Sequence, residues 1–243
     1  MPADSQSPRH PVLRFLADAL SAGNLVCGLV SIACAYAGRF ELSLGFLLGG
    51  AVLDGLDGLA ARRFGGTRIG VYADDVADGV NNGMAPGAAL FFKLGGVEGV
   101  AVGAAYTAFT ITRLVYFTVA KGTGDPAYFH GVPSTIGALI ALSSILVFAE
   151  EPALIGLGVG VACTQMVSWR THYRHLGRAL ASRDVPPVYA GAALAVLVGV
   201  GLAWGVRGAS AIILAASVAY GFLPSALGLR AALRAQRGGG ASG

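Results

Sequence analysis

One stretch decides how this chain is read: Asp54-Gly55-Leu56-Asp57-Gly58-Leu59-Ala60-Ala61-Arg62, continuing after a short turn as Gly70-Val71-Tyr72-Ala73-Asp74-Asp75-Val76-Ala77-Asp78. Five of the thirteen acidic residues in the chain lie in it. The surroundings are apolar, with runs over residues 42–61 and 69–92 that approach the roughly 20 residues a membrane-spanning helix needs. If both runs are helical, Asp54 and Asp57 are three apart on one face of the first. Asp74 and Asp78, four apart, share a face of the second. Ala61 continues the Asp57 face with almost no bulk. The joining segment is short, so the helices are expected to be antiparallel neighbours whose four carboxylates face one cavity.

The remaining sequence fits a membrane setting. Of 243 residues, 55% are hydrophobic and only 12% charged, with a mean hydropathy of +0.67. Soluble domains carry about 25% charged residues, so a disordered chain is excluded and an ordinary cytosolic enzyme disfavoured. Six further apolar runs, at 24–37, 97–120, 133–149, 153–167, 187–203 and 210–229, bring the expected total to eight helices. The fold class is therefore all-α, a polytopic membrane helical bundle. Residues 1–23 read as a polar tail and an interfacial amphipathic segment, in which Leu13, Leu16 and Leu20 oppose Arg14 and Asp18. Residues 24–230 form one transmembrane domain, and the Gly-rich end, 231–243, reads as a disordered tail. No cleavable signal peptide is evident. Cys27, Cys34 and Cys163 lack metal-ligand spacing and read as small core hydrophobes.

Basic residues set the orientation. With the N-terminus in the cytoplasm, Arg9, Arg14, Arg62, Arg63, Arg68, Lys121, Arg170, Arg174, Arg178, Arg183, Arg230, Arg234 and Arg237 fall inside, against Arg39, Lys93 and Arg207 outside. The positive-inside rule then places both termini and the aspartate cluster at the cytoplasmic face of a cell (inner) membrane. The net charge of +4 is read as loop charge, with no nucleic-acid partner implied.

Each Asp well inside a span costs about 2.5–3.5 kcal/mol, and like neighbours add to that. The cluster therefore needs cations. Arg62 and Arg63 supply some charge, but grouped hard oxygen ligands suit Mg²⁺, Mn²⁺ or Ca²⁺. Two such ions clamp a phosphate during in-line displacement. Gly55, Gly58 and Gly70 leave room for a bulky anionic ligand. A structural ion-pair network with the arginines is the plainer alternative.

The pattern Asp54-x2-Asp57-Gly58-x2-Ala61-Arg62-x7-Gly70-x3-Asp74-x3-Asp78 resembles the signature of the CDP-alcohol phosphotransferases, membrane enzymes that move a phosphoalcohol group from a CDP-linked donor to a hydroxyl and release CMP. The resemblance implies that Asp54, Asp57, Asp74 and Asp78 hold two divalent cations, Mg²⁺ or Mn²⁺, and that Asp78 is also the general base. It further implies that Gly58, Ala61, Arg62 and Gly70 line the CDP site, with Arg62 near the phosphates, and that the chain forms a homodimer.

Flanking segments are similar to the phosphatidylserine synthases of that family. They are Ala17-Asp18 with Ser21-Ala22-Gly23-Asn24-Leu25-Val26-Cys27-Gly28-Leu29, then Gly83-Met84-Ala85-Pro86, Arg113-Leu114-Val115-Tyr116-Phe117, Tyr128 to Ser134, and Met166-Val167-Ser168. CDP-diacylglycerol and L-serine are the substrates this implies, in a lipid bilayer. After Asp78 the chain departs from that subfamily's Ser-Phe pair with Asn81 and Asn82, two candidates for acceptor recognition. Arg113, the basic residue well inside a span, pairs with the serine carboxylate, with a donor phosphate, or with an Asp that holds its helix. Asn24 either contacts the nucleotide or caps the first helix. Asp75, about 100° from Asp74, reads as a peripheral charge. The competing readings are a relative using glycerol phosphate, inositol phosphate or an aminoalcohol, an Asp-rich prenyltransferase, and a cation transporter.

Overall fold

The structure is a computed structural model that describes residues 15–65, 67, 69–119, 128–166, 172–174 and 199–222. They form two compact units divided between Val119 and Ala120.

The first unit holds α1 (Phe15–Tyr36), α2 (Phe40–Phe64), α3 (Gly70–Asp78), a π-helical turn (Gly79–Met84), α4 (Ala85–Leu94) and α5 (Gly96–Val119). The chain is helical without interruption from Gly70 to Leu94, so α3, the turn and α4 are one bent rod. That rod answers to the run expected at 69–92. α1 runs without a break through residues 23 and 24, joining the end of the segment read as interfacial to the first apolar run. Ser21, Ala22 and Gly23 lower the local hydropathy, yet Ser21 lies with Asn24 on the helix face that packs inward.

α1 shows why these helices belong in lipid. Its buried residues are Ala17, Ser21, Asn24, Gly28, Ser31 and Ala35, all small or polar and spaced alternately by four and three. Its large apolar side chains point out, Val26 at 57% and Leu29 at 52% exposure. Water would reverse that pattern, whereas in a bilayer small faces let helices close on one another. α1, α2 and α5 are each long and apolar enough to cross a membrane, and the chain is an integral membrane protein.

Close contacts build the unit. A Cβ on Gly28 would lie 2.9 Å from Asn81 Cα and 3.0 Å from its nitrogen, so α1 rests directly on the backbone of the π-helical turn. A Cβ on Gly50 would meet the amide groups of Asn81 and Asn24. Ser31 Oγ donates to the Ser43 carbonyl at 2.9 Å, tying α1 to α2 at their other half. α4 and α5 cross with Gly87 and Gly103 backbone to backbone.

The second unit contains α6 (Ser134–Val147), α7 (Pro152–Met166) and a ladder of two three-residue strands, β1 (Tyr128–His130) and β2 (His172–Arg174). The strands are antiparallel, with Tyr128 opposite Arg174 and His130 opposite His172. This ladder was not expected, and it is too small to alter the all-α class. Gly131, at φ +71°, places its Cα where any side chain would strike the Met166 carbonyl.

Residues Gly199–Phe222 have the length and composition of one span, but they are two helices meeting at Gly205, whose φ is +69°. A Cβ on Gly208 would lie 3.4 Å from Val200 Cγ1, and one on Gly201 3.8 Å from Ala209 Cβ. Residues eight apart in a straight helix are separated by about 12 Å, so the chain reverses there. The break expected between residues 203 and 210 exists, narrowed to one glycine. Arg207 donates to the Val147 carbonyl at 2.8 Å, which puts this reversal at the C-terminal end of α6. Residues 11–14, Arg68, the first part of the run at 187–203, and the tail at 231–243 lie outside the described residues. So do the side chains of the basic stretch from Arg170 to Arg183.

Gly28→Ala is expected to destabilise the first unit by roughly 1–3 kcal/mol, because the neighbouring atoms are backbone and cannot yield. Gly45, with nothing within 4 Å of its Cβ position, supplies the control. In detergent, Gly28→Ala should lower the melting temperature by several degrees and Gly45→Ala should leave it unchanged.

Candidate metal and phosphate site

The last turns of α2 carry Asp54 and Asp57, and α3 carries Asp74 and Asp78. One carboxylate oxygen each from Asp54, Asp57 and Asp74 lie within 4.8 Å of one another. Asp54 and Asp74 are in hydrogen-bonding contact across the two helices. Asp78 sits beside this trio, close enough to feel the charge of Asp54 and Asp74. α2 and α3 pack mainly on α1 rather than, as the expected antiparallel pairing would have it, on each other, and it is across α1 that the four expected aspartates come near one another.

The donor set fits a divalent cation. Three carboxylates this close, on helices of a lipid-facing bundle, repel one another strongly at low dielectric unless a cation lies among them. Carboxylate oxygens are hard ligands of the kind Mg²⁺ and Mn²⁺ prefer. Arg62 Nη1 is 3.5 Å from the Cβ position of Gly58, so the guanidinium folds back over that glycine. Ala61 adds only a methyl group on the same turn.

α1 contributes no member of the trio, yet it holds the cluster in shape. Ser21 Oγ donates to Asp57 Oδ2 at 2.6 Å. Asn24 Nδ2 donates to Asp78 Oδ1 at 3.3 Å, so Asn24 is mid-helix and does not cap α1, one of the two expectations for it. Asp18 Oδ2 accepts from Thr67 Oγ1 at 2.8 Å, and Thr67 Oγ1 accepts from the Gly70 backbone N–H at 2.9 Å. A side chain at Gly70 would collide with Asp18 Oδ1. Gly70 is therefore where α3 begins against α1. Ser21, Asp18 and Thr67 carried no site reading in the sequence. The signal for Ser21 and Asp18 was available, since both lie on the α1 face that includes Asn24.

Asn81 and Asn82 are neighbours with different surroundings. Asn82 Nδ2 donates to Asp78 Oδ1 at 3.1 Å. Asn81 Nδ2 instead donates to the Leu47 carbonyl at 3.2 Å, wedging the turn between α1 and α2. Arg113, at 8% exposure, is buried with its guanidinium carbon 4.5 Å from the Phe117 ring centroid. It is near enough to Asp78 for the two charges to interact. A guanidinium stacked on an aromatic face turns its planar edge, the part that matches a carboxylate or phosphate, away from the ring.

A family model described as CDP-alcohol phosphatidyltransferase matches residues 14–170. A CDP-diacylglycerol–serine O-phosphatidyltransferase of Helicobacter pylori J99 is 32% identical over 143 residues, 57% of this chain and 60% of that protein. One of Mycobacterium bovis is 28% identical over 199 residues, 76% of this chain and 68% of its own length. A phosphatidylcholine synthase of Borreliella burgdorferi is 25% identical over 154 residues, 61% of this chain and 65% of that protein. The chain thus spans about 60% of the length of the Helicobacter relative.

Removing the hydroxyl that orients Asp57 should be felt by a bound ion, since groups that orient metal ligands typically contribute 10–100-fold in affinity. Ser21→Ala is expected to weaken Mn²⁺ binding by about tenfold or more, as read from the free Mn²⁺ signal in an electron paramagnetic resonance titration.

Proposed function

The chain belongs to the CDP-alcohol phosphatidyltransferase family, and from that premise we propose that it transfers the phosphatidyl group of CDP-diacylglycerol to the hydroxyl of L-serine, giving phosphatidylserine and CMP. The observation that carries this reading is the juxtaposition of an aspartate trio, a fourth aspartate held by two amides, and a buried arginine beside it. Asp54, Asp57, Asp74 and Asp78 would hold two divalent cations, Mg²⁺ or Mn²⁺, which when bound neutralise the charge of the donor's pyrophosphate.

The chain's own residues account for the rest. Arg62, folded over Gly58, meets the donor's phosphates, and the small residues Gly58, Ala61 and Gly70 give the nucleotide end room. Asn24, buried beside Asp78, completes the nucleotide end. Both amide donors on Asp78 fall on Oδ1, so Oδ2 is assigned to the acceptor's proton. The serine oxygen forms a bond to the lipid-bearing phosphorus as the bond from that phosphorus to the CMP oxygen breaks. The hydroxyl proton passes to Asp78, and CMP leaves with the electron pair. General-base assistance of this kind typically contributes 10²–10⁴-fold.

Arg113 supports a carboxylate-bearing acceptor. A buried guanidinium pairs with an amino-acid carboxylate in a forked geometry, whereas it repels the cation of an aminoalcohol such as choline. Asn82 lies within reach of the same acceptor, and Asn81 supports the wall behind it. The excess of arginine at the turn between α2 and α3 supports a cytoplasmic active site in the cell membrane.

Protein in nanodiscs, given CDP-diacylglycerol, Mn²⁺ and labelled serine, should form labelled phosphatidylserine and CMP in equal amounts. Labelling only from another alcohol would replace serine and keep the family chemistry. Asp78→Asn is expected to reduce CMP release at least 10²-fold, and Arg113→Lys to raise the KM for serine about tenfold with a smaller change in that for the donor.

A further inference from the structure

We infer that Tyr106 is a positioning residue for Asp78, acting through the π-helical turn and Asn82. Between Asp78 and α4 the rod leaves the α pattern for six residues, Gly79–Met84. A π turn pairs each carbonyl with the N–H five residues on, and such turns occur mostly as short inserts in α-helices, frequently at functional sites. It misaligns the ladder at its ends, and in a dry interior an unpaired carbonyl is costly. Here two successive carbonyls of the turn receive hydroxyl donors from α5. Tyr106 Oη donates to the Asn82 carbonyl at 3.0 Å, and Thr107 Oγ1 donates to the Gly83 carbonyl at 3.3 Å.

Tyr106 is fully buried, at 0% exposure, so its ring cannot swing away, and its hydroxyl lies on the carbonyl of the residue whose side chain holds Asp78. Asn82 Nδ2 reaches Asp78 Oδ1 at 3.1 Å across the turn. Relaxation of the turn to α-helical pairing would change the angle between residues 78 and 82 and move that amide. The hydroxyl of Tyr106 therefore sets the register in which Asn82 meets the carboxylate. Its reach depends on α5 lying very close to α4. A Cβ on Gly103 would be 2.5 Å from the Gly87 carbonyl, and one on Gly99 2.7 Å from the Phe91 carbonyl.

This inference rests on the proposal that Asp78 takes the acceptor's proton, and the experiment separates the two. Tyr106→Phe keeps the ring and removes the hydroxyl. It is expected to lower kcat about 10–100-fold while the KM values for donor and serine change less than twofold. In an Asn82→Ala background, adding Tyr106→Phe should cost less than twofold, because the path it acts through is already gone. Hydrogen–deuterium exchange should show faster exchange confined to residues 79–84. A wild-type kcat in Tyr106→Phe, or an undiminished loss in the Asn82→Ala background, would overturn the inference. If the wild-type protein shows no transfer to serine, the functional proposal fails on its own, and the exchange measurement still decides whether Tyr106 holds the turn: unchanged exchange at 79–84 overturns it.

Discussion

Gathering carboxylates inside a lipid-facing bundle is the constraint that the first unit is built to meet. Three carboxylate oxygens within 4.8 Å of one another are unfavourable anywhere, and more so where hydrocarbon replaces water. The helices answer with fixed donors. Ser21 serves Asp57, Asn24 and Asn82 serve Asp78, and Thr67 serves Asp18. Each donor is neutral, so it orients a carboxylate without cancelling its charge. The negative potential that attracts a divalent ion is thereby kept, while the side chains that would hold it are held still.

Much of this arrangement depends on a helix that carries none of the four signature aspartates. α1 presents a face of small and polar residues, Ala17, Ser21, Asn24, Gly28, Ser31 and Ala35. One half of that face reaches the aspartates, the other fixes α1 to α2 through Ser31 and Ser43. Gly28 seats the π-helical turn between the two. Smallness here has a double use. It lets backbones approach where no hydrophobic force drives helix association, and it leaves space into which amides can turn.

The aspartates were legible because charge is scarce in this chain and periodicity alone puts the pairs on shared faces. The membrane class followed from the same scarcity, and the reversal near Gly205 from a local drop in apolar content. The donors around the carboxylates were less visible. Ser21 and Asn24 sit in a segment whose low hydropathy read as a boundary, although it is the interior face of a continuous helix. Asn81 and Asn82 were indistinguishable in sequence, since a regular helix turns both toward the cavity. The π-helical turn separates them, sending one amide to Leu47 and the other to Asp78. That turn has no local signature, because it is stabilised by hydroxyls on α5, more than twenty positions away. The β1–β2 ladder, three residues a side, is likewise a pairing between distant segments too short to show periodicity.

A general consequence follows for how precision is obtained in such a site. Catalysis by positioning tolerates errors well below an ångström, yet lipid offers little force to press helices together. Here the tolerance is set by contacts between backbones. Gly87 and Gly103 stop α4 and α5 at a distance fixed by main-chain atoms, which have no rotamers to relax. That distance fixes where the Tyr106 hydroxyl ends, the hydroxyl fixes the register of the turn, and the turn fixes the amide on Asp78. Each link passes through rigid groups, so little freedom accumulates along the path. Glycine, the residue with the most conformational freedom in the unfolded chain, is on this view what makes the folded site least able to drift.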